Sequence, residues 1–141
     1  MDDNIISQLS IFVNNEPGRL AHIASVLKEC GINMRAFNLA ESTEFGILRA
    51  IVDKPDEAFE KLKATGIIVK KTDVIGVVIQ DTPGSLFQAA DIMGKAGINN
   101  EYGYAYTGRT TAAFFVRVDD PEKAVKILKD AGIKLILDSE I

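Results

Sequence analysis

The sequence matches itself when it is shifted by 66 residues, and this internal repeat limits the folds open to the chain. One register holds over several separate stretches without a gap, which indicates a tandem duplication. Units of about 65 residues are small for independent domains, so we expect the two to support each other. The matching positions are Pro17-Gly18 with Pro83-Gly84, Leu20 with Leu86, Gly31-Ile32-Asn33 with Gly97-Ile98-Asn99, Val52-Asp53 with Val118-Asp119, Pro55 with Pro121, and Gly66-Ile67 with Gly132-Ile133.

Each repeat predicts the same order of strands and helices. Leu9, Ile11 and Val13 alternate as in a half-buried strand, and apolar residues then recur at helical spacing up to Cys30. A glycine follows this helix, as is common just past a helix end. The first repeat predicts further strands at 33–41, 45–52 and 67–69 and a second helix after Pro55; the second predicts strands at 74–79, 99–107, 111–118 and 133–137 and helices at 85–96 and 122–131.

The order βαββαβ, found twice, places the chain in the α+β class. Right-handed crossovers leave few topologies for it, and the ferredoxin-like arrangement is the common one, an antiparallel sheet with both helices on one face. We assign residues 1–71 to the first unit and 72–141 to the second. The linker at 71–73 is very short, so we expect the two ferredoxin-like units to pack side by side, an arrangement in which they could exchange strands.

Charge and composition exclude several classes of function. The formal net charge is −4 and the 16 Lys and Arg are scattered, apart from Lys70-Lys71, which argues against nucleic acid as a partner. No apolar run approaches the roughly 20 residues of a membrane helix. The acidic N-terminus does not resemble a signal peptide. We therefore expect a cytoplasmic protein without membrane partners.

The chain offers few residues for catalysis. His22 is the only histidine and Cys30 the only cysteine; both lie on or beside the apolar stripe of the first helix, which favours structural roles. Phosphate-loop, dinucleotide-binding and zinc-protease motifs are missing. A ferredoxin-like acyl phosphatase needs an arginine in its first loop, and Arg19 lies just past that loop without a counterpart in the second repeat. We predict no enzyme, no cofactor and no metal site.

The most specific feature is the turn that joins strand one to helix one in both repeats, Asn15–Gly18 and Asp81–Gly84. A structural explanation is that Asn15 or Asp81 caps the helix, proline lies in its first turn and glycine allows a tight bend. A functional explanation is that the free N–H groups at the helix start bind a carboxylate, while Asn15 or Asp81 accepts a hydrogen bond from an ammonium group. Such a pair of groups suits a free α-amino acid.

With these turns, and with Gly-Ile-Asn between helix one and strand two, the chain resembles a tandem pair of ACT domains. The resemblance implies a regulatory, ligand-binding protein. Many members of that family are attached to metabolic enzymes, and this sequence departs from them because it resembles a stand-alone ACT pair with no catalytic domain attached. In that family two units pair into an eight-stranded sheet, and an amino-acid effector binds where the first loop of one unit meets the helix-one/strand-two junction of the other.

Carried over to this sequence, the resemblance implies two pseudo-equivalent sites, of which one or both bind the effector. The first-loop residues are Asn15, Glu16, Pro17, Gly18, Arg19 and Leu20 in one repeat and Asp81, Thr82, Pro83, Gly84, Ser85 and Leu86 in the other. The first loop is expected to meet Asn99, Asn100 and Glu101, and the second loop Asn33, Met34 and Arg35.

The resemblance also implies that the chain passes the amino-acid signal to a partner enzyme or transporter. The alternative is a protein-interaction or dimerisation module in which the loops only start helices, and a small enzyme is third. All three tyrosines, Tyr102, Tyr104 and Tyr106, alternate along one predicted strand. Strand packing explains them as well as a homodimer contact does, and the sequence does not fix which sheet face they occupy.

Overall fold

The computed structural model describes residues 3–41, 45–80, 82–107 and 111–141. These residues form six strands and four α helices, and the α+β class with two βαββαβ-type repeats is confirmed. In chain order the elements are β1 (Ile5–Asn14), α1 (Arg19–Glu29), β2 (Met34–Glu41), β3 (Phe45–Val52), α2 (Pro55–Ala64), β4 (Val69–Gln80), α3 (Ser85–Lys95), β5 (Asn100–Thr107), β6 (Thr111–Val118), α4 (Pro121–Asp130) and a short 3₁₀ helix at Asp138–Glu140.

The chain divides into two compact units. The N-terminal unit is Ser7–Thr72, and the C-terminal unit is Asp73–Glu140 together with the residues up to Ile6. Within the C-terminal unit, the Asp138 N–H donates to the Asp3 carbonyl at 2.7 Å and Lys129 Nζ donates to Asn4 Oδ1 at 3.4 Å. The first residues of the chain are thus held by the second repeat. The domain boundary between residues 71 and 72 stays a prediction.

In the N-terminal unit, β3 lies between β1 and β2 and pairs antiparallel with both. Leu9 is opposite Ala50, and Asn14 is opposite Phe45, so the end of β1 lies beside the start of β3. Helices α1 and α2 cover one face of these strands. The buried core residues of this unit are Leu9, Ile11, Val13, Ile23, Leu27, Ile32, Leu48, Ala50, Val52, Ala58 and Leu62.

The C-terminal unit repeats this arrangement, with β6 between β4 and β5. Its core joins alternate residues of β4 and β6 to one face each of α3 and α4. The buried core residues are Ile75, Val77, Ala89, Met93, Ile98, Val116, Val118, Ala124, Val125, Leu128 and Leu135. The strand predicted at 133–137 is reduced to an isolated bridge between Val77 and Leu135, with a backbone bond from the Val78 N–H to the Lys134 carbonyl at 2.9 Å.

The predicted linker at 71–73 is wrong, because β4 runs without a break from Val69 to Gln80. The segment Lys71-Thr72-Asp73 is polar, but it contains neither glycine nor proline, and nothing in it interrupts an extended backbone. Two strands that the sequence separates are therefore one strand. Apart from the strand predicted at 133–137, the other predicted elements agree with the structure to within a few residues at their ends.

The two equivalent helices α1 and α3 start at a glycine in the left-handed region. Gly18 has φ 86° and Gly84 has φ 90°, and each is the N-cap residue of its helix. Asn15 lies three residues earlier, and Pro17 precedes the cap, so the expectation that Asn15 caps α1 with proline in its first turn is wrong. Asp81, the other expected cap, lies outside the described residues. The turn thus depends on glycine, the residue that adopts this backbone without strain.

Replacing either cap glycine by alanine should destabilise the protein. An L-residue in the left-handed region costs about 1–2 kcal/mol, and Gly18→Ala and Gly84→Ala should each lower the free energy of unfolding by that amount. Gly94→Ala is the matched control: Gly94 lies inside α3 without a positive φ, and a Cβ there meets nothing within 4 Å. It should raise stability by about 0.5–1 kcal/mol. Urea unfolding measures all three, and an unchanged Gly18→Ala midpoint would contradict the assigned turn.

Candidate functional site

The loop before the first helix is built in the same way in both units. In the N-terminal unit the Glu16 N–H donates to the Asn14 carbonyl at 2.8 Å, and the His22 N–H donates to the Gly18 carbonyl at 3.0 Å. In the C-terminal unit the Thr82 N–H donates to the Gln80 carbonyl at 2.8 Å, and the Gln88 N–H donates to the Gly84 carbonyl at 3.1 Å. The repeated sequence therefore produces a repeated backbone turn.

The side chains of the two loops differ. Arg19 Nε donates to Glu16 Oε2 at 3.3 Å, and both side chains are exposed. At the corresponding place the hydroxyl oxygens of Thr82 and Ser85 lie 2.8 Å apart. An exposed ion pair contributes little stability. It does, however, engage Arg19 with a neighbouring carboxylate, which weakens the case for a phosphate-binding arginine.

A pocket of about 230 Å³ lies against the first loop, within the N-terminal unit. Four predicted site residues line it, namely Asn15, Glu16, Gly18 and Leu20. Pro17 and Arg19 belong to the same loop without lining the pocket. The remaining lining residues are Val13, Asn14, Ala21, Leu39, Phe45 and Gly46. The first loop thus borders a concave site, as the functional explanation of the turn requires.

Sequence reasoning missed the residues of β2 and β3 that line this pocket. Phe45 is opposite Asn14 and Gly46 is opposite Val13, so the start of β3 lies directly beside the loop. Leu39 reaches the pocket from β2. Its Cδ1 lies 3.5 Å from the position that a Cβ would take if residue 46 were not glycine. The signal was present: in the predicted topology strand three starts where strand one ends.

The helix-one/strand-two junctions are held by an aspartate in each unit. The Asn33 N–H donates to Asp53 Oδ1 at 3.0 Å, and the Asp53 N–H returns a bond to the Asn33 carbonyl at 3.2 Å. Asn99 and Asp119 make the same pair of bonds at 3.1 and 3.3 Å. The repeated Val-Asp dipeptide was the sequence signal for this role, which sequence reasoning left unassigned.

Several predicted junction residues have other partners. Met34 packs against the core of the N-terminal unit, and Glu101 forms an ion pair with Arg117 at 3.6 Å. Asn33, Arg35 and Asn100 are exposed. Residues 33–35, which form the junction of the same unit, do not line the first-loop pocket. The pairing of each loop with the junction of the other unit stays a prediction.

The histidine and the cysteine do not form a reactive centre. Cys30 is half-buried and packs against the core, while His22 is exposed on α1 beside a smaller cavity of about 120 Å³. Within the described ranges, no group of three or more histidine, cysteine, aspartate or glutamate side chains could hold a metal ion. A helix long and apolar enough to cross a membrane is likewise not found among those residues.

The three tyrosines lie on the sheet face opposite to α3 and α4. Tyr102, Tyr104 and Tyr106 pair with Arg117, Phe115 and Ala113 on β6, whereas the intervening Val116 and Val118 belong to the core under the helices. The rings of Tyr104 and Phe115 have centroids 6.1 Å apart. Tyr106 is 58% exposed. The structure thus shows which sheet face the tyrosines occupy. The homodimer contact stays a prediction.

Removing the junction aspartate should loosen the junction backbone. Asp53→Ala deletes the acceptor of the Asn33 N–H, and a hydrogen bond to a charged group contributes about 1.5–3 kcal/mol. Hydrogen exchange of the Asn33 amide, followed by NMR, should accelerate at least tenfold. Asp53→Asn, which keeps the oxygen and loses the charge, should give a smaller effect. Unchanged Asn33 exchange in Asp53→Ala would show that the bond does not hold the junction.

Comparison with known proteins agrees with this architecture. The family model of the ACT domain pair matches residues 4–141 of this sequence. Among curated proteins no significant match is found. Protein BT0572 from Bacteroides thetaiotaomicron is 34% identical, with 97% of this chain and 95% of that chain covered and a TM-score of 0.94.

Two regulatory subunits of aspartate kinase share the fold at lower identity. The ligand-free subunit from Thermus thermophilus is 19% identical, with 92% of this chain and 95% of that chain covered and a TM-score of 0.62. The subunit from Thermus flavus is 17% identical, with 89% and 91% covered and the same TM-score. The family that matches is a regulatory rather than a catalytic one. From the family match and the repeated fold, we conclude that this chain belongs to the ACT domain family as an ACT domain pair.

Proposed function

We propose that this ACT pair is a non-catalytic sensor that binds a free amino acid and regulates a partner enzyme or transporter. The observation that carries the proposal is the pocket of about 230 Å³ that borders the Asn15–Gly18 loop and the start of α1. The volume lies below the roughly 300–1,000 Å³ of sites for drug-sized ligands, as suits a smaller molecule.

The polar groups at this pocket complement both charges of an α-amino acid. The first turn of α1 supplies backbone N–H groups and the positive end of the helix dipole, which favour a carboxylate. Gly18 has no side chain in the way, and a Cβ built on it meets nothing within 4 Å. The side-chain oxygens of Asn14 and Asn15 are acceptors for the ammonium group. The loop thereby offers partners for both ends of the ligand.

The second loop is proposed as a pseudo-equivalent site. Thr82 and Gly84 repeat the backbone of the first loop, whereas Asp81 lies outside the described residues. In the full proposal, Asn99–Glu101 complete the binding site at the first loop, and Asn33–Arg35 complete the binding site at the second loop. Because the loop side chains differ, the two sites should differ in affinity.

The fold supports regulation of another protein. The Thermus subunits are regulatory parts of aspartate kinase, and they share this fold. By analogy we propose that the signal passes to a partner and that the chain acts as a cytoplasmic homodimer. No cofactor, metal, membrane or nucleic acid enters the proposal. The partner protein is defined only by this role.

A ligand-free interaction module is the second candidate. The tyrosine face of β5 favours it, because Tyr106 is exposed and Tyr104 and Tyr102 are half-buried on the sheet face opposite to the helices. Exposed aromatic area of this kind is typical of contacts between proteins. The two candidates differ in whether any small molecule stabilises the protein.

A thermal-shift screen of the full chain against the twenty amino acids tests the sensor. A ligand that binds only the folded state adds about 2.7 kcal/mol at one hundred times its dissociation constant. At least one amino acid should therefore raise the melting temperature by several degrees at millimolar concentration. If none does, the sensor proposal fails and the interaction module remains.

The variant Gly18→Asn then tests the loop as the binding site. Asparagine tolerates the left-handed backbone, so the helix start should persist while the side chain obstructs the N–H groups. We expect a tenfold loss of affinity, about 1.4 kcal/mol, by titration calorimetry. The matched variant Gly84→Asn reports on the second loop. Full affinity in both variants would mean that the turns only start helices.

A further inference from the structure

The first-loop pocket has one polar side and one apolar side. The loop contributes Asn14, Asn15 and Glu16, whereas the strands and the helix contribute the apolar lining residues Val13, Leu20, Ala21, Leu39 and Phe45. If the loop holds the ammonium and carboxylate of an amino acid, the apolar side is left for its side chain. The composition of that side therefore bears on the identity of the ligand.

Two leucines border this pocket with much of their surface in contact with water. Leu20 is 42% exposed on α1 and Leu39 is 47% exposed on β2. Large apolar side chains are stabilised when such surface is removed from water. A ligand with an apolar side chain would cover both leucines. A small or hydroxylated side chain would leave that surface hydrated.

The charges at the pocket disfavour an ionised ligand side chain. Glu16 is the only ionisable residue among the described residues that line the pocket, and its carboxylate forms an ion pair with Arg19 at 3.3 Å. An acidic side chain would meet no cation among these lining residues. A basic side chain would compete with Arg19 for Glu16 and would bring its charge against the leucines, which costs solvation energy.

The apolar side differs between the repeats only in part. The residues 66 positions after Leu39 and Phe45 are Ala105 and Thr111, which are smaller or polar, whereas Val13, Leu20 and Ala21 have the apolar counterparts Ile79, Leu86 and Phe87. Gly46 leaves room beside Leu39, because a Cβ at position 46 would lie 3.2 Å from the Ala40 carbonyl oxygen and 3.5 Å from Leu39 Cδ1. The repeats thus share a loop backbone and differ in the surface beside it.

From these observations we infer that the first-loop pocket selects an L-amino acid with a large apolar side chain, of the leucine, isoleucine, methionine or phenylalanine class. The inference rests on the proposed function, since it names the side-chain class of the effector at the same site. Leu39 and Leu20 are the residues that set this specificity.

Titration calorimetry of the full chain with all twenty amino acids tests the inference. An apolar amino acid of this class should bind at least tenfold more tightly than serine, aspartate, lysine or glycine. A polar or charged amino acid as the tightest ligand would overturn the inference and leave the sensor proposal intact. If no amino acid binds, both fail.

Variants on β2 test whether Leu39 sets the specificity. Leu39→Asn should weaken the tightest apolar ligand at least fivefold. Phe37→Asn is the matched control: Phe37 lies two residues earlier on the same face of β2, is 60% exposed and does not line the pocket. It should change the affinity less than twofold. Leu20→Asn, on a different element, should reproduce the Leu39→Asn loss, and an equal loss in Phe37→Asn or none in both leucine variants would overturn the assignment.

Discussion

The start of the first helix in each repeat depends on one backbone constraint, a glycine in the left-handed region. Gly18 and Gly84 turn the chain from the end of a strand directly into a helix. Because the N-cap residue has no side chain, the first turn of each helix has no side-chain cap. The Arg19 N–H donates to the Glu16 carbonyl at 3.3 Å, and the N–H groups that follow it lack the usual side-chain acceptor. The same constraint thus explains why a turn that is structurally sufficient is also chemically suited to a carboxylate.

Around this shared turn, the two units have diverged. In the N-terminal unit the antiparallel register brings Phe45 and Gly46 beside the loop, and Leu39 follows from β2, so the loop borders an apolar pocket. The C-terminal unit has Ala105, Thr111 and Ala112 at those positions and carries Tyr102, Tyr104 and Tyr106 on the sheet face opposite to its helices. The duplicated units thus keep one fold and differ in the side chains on their surfaces.

Much of this architecture could be predicted from the sequence, because the repeat supplied every element twice. The alternation of Leu9, Ile11 and Val13 and the helical stripe ending at Cys30 predict elements that the structure contains. Local sequence signals gave wrong predictions where the backbone and strand pairing of the folded chain decide the structure. Polarity at 71–73 predicted a linker, whereas β4 continues through these residues without a break. Asn15 predicted a cap, whereas the backbone places Gly18 there. The pocket residues on β2 and β3 required the strand register, which no short motif encodes.

The central claim is that backbone N–H groups at the start of α1 bind an amino-acid carboxylate. The most direct measurement is an NMR titration of the isotope-labelled chain with the amino acid that gives the largest thermal shift. The account predicts saturable shifts of the Gly18, Leu20 and Ala21 amides, with an affinity equal to that from calorimetry. Saturable binding that leaves these three amides unmoved while shifting resonances elsewhere would contradict it.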